Sequence, residues 1–111
     1  MKYMCLVYGE EQLTQTIDDR ECVANGEALR QAGHYVAAES LQPVSTAATV
    51  RVRNGRVTVT DGPFAEAKEV IAGFYLIEAR DLEEATALAA KIPPARVGAI
   101  EGRPVRELTG V

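Results

Sequence analysis

Val70-Ile71-Ala72-Gly73-Phe74-Tyr75-Leu76-Ile77-Glu78 is a stretch of strand length with apolar groups on both faces. Successive side chains of an extended chain point to opposite sides. Ile71, Gly73, Tyr75 and Ile77 therefore share one face, and Val70, Ala72, Phe74 and Leu76 share the other. Residues 2–8 repeat the pattern, with Tyr3, Cys5 and Val7 against Met4, Leu6 and Tyr8. Strands of this kind belong in the middle of a sheet with material packed on each side.

The neighbouring segments supply part of that material. Downstream, Asp81-Leu82-Glu83-Glu84 has the form of a capping box, with Asp81 as N-cap and Glu84 three residues on. The helix it opens keeps Leu82, Ala85, Leu88, Ala89 and Ile92 on one side, and Pro93-Pro94 ends it. Residues 96–105 form a last strand. Upstream, residues 48–53 and 56–60 alternate valines with polar residues across Asn54-Gly55, a strong hairpin signal. Residues 34–41 form a strand broken by Pro43. A helix is expected from about Ile17 to Ala32, after Thr16, with Ala24, Ala28, Leu29 and Ala32 as its stripe and Gly33 as its stop. Asn25-Gly26 weakens it by roughly 1 kcal/mol against alanine, so it leans on packing. Residues 10–16 read as a loop. The order predicts an α+β, ferredoxin-like βαββαβ plan with a hairpin inserted in its middle, as one domain over residues 1–111.

Two helices cover only one face of such a sheet. The other face leaves an apolar patch in water that monomers seldom tolerate, which predicts a homodimer packed sheet against sheet. The net charge of −4 argues against a nucleic-acid groove or an anionic membrane as partner, since both select a basic face. No run of 18 apolar residues exists, and Met1-Lys2-Tyr3 enters a strand pattern without the apolar run of a signal peptide. A cytoplasmic location is expected. Cys5 and Cys22 read as small buried hydrophobes rather than a disulfide pair. One histidine and two separated cysteines offer no metal-ligand spacing, and no cofactor is implied.

Chemistry-bearing residues concentrate in Asp61-Gly62-Pro63-Phe64-Ala65-Glu66-Ala67-Lys68-Glu69. Asp61, Gly62 and Pro63 suit a turn, with the Asp61 carboxylate bonding backbone N–H groups two residues on and one oxygen left for a ligand. Phe64 reads as a plug at the sheet edge or as a wall of a site. In an extended segment Glu66 and Lys68 point the same way, either as a pair that holds a polar or anionic ligand or as a solvated ion pair worth under ~1 kcal/mol. His34, the only histidine, is a candidate proton carrier at a strand start. Arg103 closes the last strand and suits a carboxylate, on a ligand or on Glu69 or Glu101. Ligand-binding candidates are thus Asp61, Phe64, Glu66, Lys68, His34 and Arg103. If catalysis occurs, Asp61 or Glu66 is the candidate base and Lys68 the charge stabiliser. Whether the protein is an enzyme is left open.

This nine-residue string resembles the signature of DGPF-type proteins, a branch of the YCII-related superfamily. The opening Met1-Lys2-Tyr3-Met4, Tyr8-Gly9, Ala48-Thr49-Val50-Arg51, Gly73-Phe74-Tyr75, and Glu101 with Arg103-Pro104-Val105 extend the resemblance along the chain. Ala67 stands where that group often has threonine. The resemblance implies a dimeric α+β barrel. Wider relatives carry a His–Asp pair thought to be an active site. The matching places here hold Cys22 or a neighbour, and Ile92, which cannot form that pair. DGPF-type proteins are also associated with extracytoplasmic-function sigma factors, which implies a sigma factor as a possible partner.

Overall fold

A computed structural model describes residues 1–110. Its strands are β1 (Lys2–Gly9), β2 (Tyr35–Ser40), β3 (Ala48–Arg53), β4 (Arg56–Asp61), β5 (Val70–Glu78) and β6 (Ala99–Pro104). Its helices are α1 (Glu11–Thr14), α2 (Asp19–Gln31) and α3 (Leu82–Ala89), with 3₁₀ turns at Val44–Thr46 and Pro93–Arg96. The fold is α+β. Strands β2-β5-β1-β6 form an antiparallel sheet, and β3-β4 form a separate hairpin. This order does not conflict with the expected βαββαβ plan. The sheet is open, and among the described residues it does not close into a barrel. Among the described residues no helix is long and apolar enough to cross a membrane.

The two central strands bury one face. Tyr3, Cys5 and Val7 of β1 meet Tyr75 and Ile77 of β5 beneath Leu29 of α2, Ala85 and Ala89 of α3, and Ile92. The opposite face has no such cover. Leu6 lies in register with Phe74 and Glu101, and Met4 with Leu76 and Arg103. All four of these apolar side chains stay partly exposed.

Local chemistry explains the element ends. The Asp81 carboxylate accepts from the Glu84 N–H at 2.9 Å, while Glu84 Oε1 accepts from the Arg80 N–H at 2.9 Å. The return bond therefore falls one residue before the cap. At α2 the N-cap is Asp18, whose carboxylate accepts from the Arg20 N–H at 2.8 Å. Thr16 instead donates its hydroxyl to the Leu13 carbonyl at 2.6 Å, finishing the short α1 that occupies the expected loop. Asn54 and Gly55 both take positive φ, 52° and 74°, as a two-residue hairpin turn with matching twist requires.

Two expected faces are corrected. Ala24 and Ala28 of α2 and Ala32 at its C-cap are exposed, and only Leu29 of that stripe is buried. The inner side of α2 runs through Cys22, Asn25, Gly26 and Leu29, with the Tyr35 ring next to Gly26. In β5 the register with β1 shifts between Gly73 and Ile71, opposite Val7 and Tyr8. This bulge places Ala72 against the core and pairs Ile71 with Tyr8, leaving Ile71 exposed.

The molecule is thin and over-exposed. Its extents are 46 × 42 × 19 Å, and 19 Å accommodates one sheet and one helical layer. The radius of gyration is 15.8 Å, against about 13 Å for a compact chain of this length. Its accessible surface is 7909 Å², while about 6,000 Å² is typical of a compact monomer of this mass.

Candidate functional site

A cavity of about 490 Å³ lies between α1, α2, β2 and β5. It forms because α2 crosses the sheet on its small-residue side. Gly26 of α2, Ala38 of β2 and Ala72 of β5 leave space that larger side chains would fill. Tyr75 and Val7 come from the buried face, and Phe74 and Leu41 add further apolar wall. Asp19, Glu27 and Arg30 bring charge from α2, and Tyr35 and Glu39 add polar groups from β2. Arg30 donates to Glu27 at 2.6 Å and sits over the Tyr35 ring at 4.5 Å. It is the one basic side chain of the lining.

The deep end is polar but subdued. The Tyr75 hydroxyl donates to the Cys22 carbonyl at 3.3 Å. Burial pushes the Tyr75 phenol up, and the nearby Asn25 amide offsets part of this. Asn25 Nδ2 itself is buried without a hydrogen-bond partner of good geometry. Burial also pushes the Cys22 thiol up, and Asp19 and Glu21 add to the effect. Cys22 therefore stays a protonated thiol at neutral pH and is a poor nucleophile. Cys5 and Cys22 are both free thiols. Arg96 reaches across to Glu21 with two donated bonds, 3.0 and 3.1 Å, and ties the turn after α3 to α2.

None of the six residues singled out in the sequence lines this cavity. Residues 62–69 form an irregular loop rather than an extended segment, so Glu66 and Lys68 are not held as a pair. Lys68 instead lies 3.7 Å from Glu10. Glu66 is exposed. Phe64 is 74% exposed rather than a plug, and the Arg51 guanidinium sits 5.2 Å from its ring centre. Asp61 ends β4 opposite Ala48. Its carboxylate makes no hydrogen bond among the described residues. The turn is closed by the Gly62 N–H to the Ala47 carbonyl at 2.7 Å and the Thr49 hydroxyl to the Gly62 carbonyl at 2.9 Å. Gly62 takes φ 102°, which only glycine adopts cheaply. His34 directs Nδ1 at the Glu78 carbonyl, 2.8 Å away, so that nitrogen carries the proton and donates. Arg103 lies beside Met4 on the open face, and its guanidinium makes no ion pair among the described residues.

The structure brings together a different set: Asp19, Cys22, Gly26, Arg30 and Tyr35. The sequence held one signal for them. Asn25-Gly26 inside a helix costs stability, and such a residue pair persists where a neighbour needs room.

The matches to other proteins span almost the whole chain. A family model described as the YCII-related domain matches residues 1–109. An uncharacterised protein of Rhizobium meliloti (strain 1021) is 35% identical over 114 residues, covering 95% of this chain and 92% of its own length. By the family model's match over residues 1–109, the chain belongs to the YCII-related family.

Proposed function

We propose that this is a homodimeric small-molecule-binding protein whose ligand enters the cavity under α2. The cavity itself carries the reading. Its volume suits a small metabolite, and its wall is largely apolar with a few polar groups at the mouth, as in ordinary ligand sites. Arg30 is the group that would meet an anionic or polar end, with Tyr35 beside it. An apolar body would lie along Ala38, Gly73 and Tyr75. The loop from Asp61 to Glu69 stands outside this site within one chain, and Lys68 and Phe64 would contribute only through the assembled dimer. The dimer reading is supported by the uncovered face around Leu6 and Phe74 and by the surplus surface. Acid–base catalysis and a sigma-factor contact rest on residue types and on resemblance, and no geometry favours them over binding.

Thermal shift against a panel of small carboxylates and neutral metabolites tests the site. A ligand that raises Tm should lose its effect in Gly26→Leu, which fills the cavity, and should bind at least about tenfold more weakly in Arg30→Gln, a loss of ~1.4 kcal/mol. A ligand whose shift survives both changes binds elsewhere, and the reading fails.

A further inference from the structure

The β3–β4 hairpin stands apart from the four-stranded sheet. It belongs to a separate two-stranded sheet, and almost every residue in it is exposed. Val50 pairs with Val59 and Val52 with Val57, so four valines form one continuous face. They are 60%, 64%, 57% and 66% exposed in that order. Arg51, Arg53 and Arg56 occupy the hairpin with them, and Arg51 is steadied over Phe64. An isolated two-stranded hairpin is at best marginal in water, and a face of four valines needs cover.

We propose that this hairpin is a clasp that lays its valine face on a second copy of the chain. Two independent observations select that occupant. The first is charge. Residues 48–61 carry three arginines and one aspartate, a net +2, so the remainder of a chain of net −4 carries −6. A basic arm is drawn to an acidic body, and the body of another copy is such a partner. The second is area. The chain exposes 7909 Å², about 1,900 Å² beyond a compact monomer. That surplus is of the size one protomer gives to an obligate dimer. Reciprocal exchange about a two-fold axis covers both arms at once and ends the assembly at two copies. The inference rests on the dimer proposed above and adds to it the element that locks it.

Sedimentation of the intact chain and of a Val57→Thr/Val59→Thr variant across a micromolar concentration series tests this. Threonine keeps strand propensity, and both sites are exposed, so the variant folds; its circular dichroism should match that of the intact chain. The intact chain should sediment as a dimer. The variant, losing four methyl groups per dimer, should dimerise about 100-fold more weakly. Amide exchange of residues 49–60 in the intact chain should slow as concentration rises. An intact dimer whose affinity the variant leaves unchanged, with hairpin amides indifferent to concentration, overturns the clasp and leaves the dimer standing. A chain that sediments at 12.0 kDa throughout overturns both.

Discussion

Single atoms decide several features of this fold. At Gly73 a Cβ would stand 2.7 Å from the backbone oxygen of Glu39, closer than side chains pack. That contact is backbone, so it cannot rotate away, and β2 would have to separate from β5. Gly73→Ala is expected to destabilise the fold by about 2 kcal/mol, within the range for overpacked sites, read as a lower urea midpoint at unchanged slope. Gly26 behaves differently, since its nearest neighbour would be a Tyr35 ring carbon at 3.8 Å. The two glycines look alike in the sequence and are opposite in consequence. His34 fastens two strand ends through its ring bond to the Glu78 carbonyl, beside the Glu78 N–H to His34 carbonyl bond.

Elements were readable wherever local chemistry dictates them. Asn54-Gly55 specifies a tight hairpin turn without help from the rest of the chain, and Asp81 with Glu84 specifies a helix start. Asp81→Ala should cost about 1 kcal/mol, because it strips the cap from a helix of only eight residues. Chemical denaturation should register the loss, and Asp81→Asn should recover most of it. The α1 turn escaped notice because four residues carry no period. The inner face of α2 escaped because alanine is equally at home on either side, and the glycine that lines the cavity reads as a defect. The bulge at Ala72 leaves no mark in an alternating apolar run, so Ile71 was grouped with Gly73, Tyr75 and Ile77. The cavity is a product of how α2 lies across β2 and β5. Its members are scattered along the chain, whereas the conspicuous charges of residues 61–69 sit at a strand end and on the loop after it.

For the molecule as a whole, alkaline pH should be the destabilising direction. Cys5, Cys22 and Tyr75 are all held above their ordinary values, mainly by burial. Both folded and unfolded chains keep these groups protonated below the ordinary thiol value of 9.0, so no stability is lost there. Above it the unfolded chain ionises first, and stability falls as pH rises toward the raised folded values. Urea midpoints should therefore hold steady from pH 7 to pH 8.5 and then decline. A Cys5→Ala/Cys22→Ala pair should flatten the first part of that decline. The hairpin has another consequence at this scale. Ala48 and Asp61 stand opposite each other, so the insert departs from and rejoins the body at one place. It is a handle on the molecule: shortening it or grafting a fluorophore at Asn54 changes what the chain can grip without redrawing the sheet it hangs from.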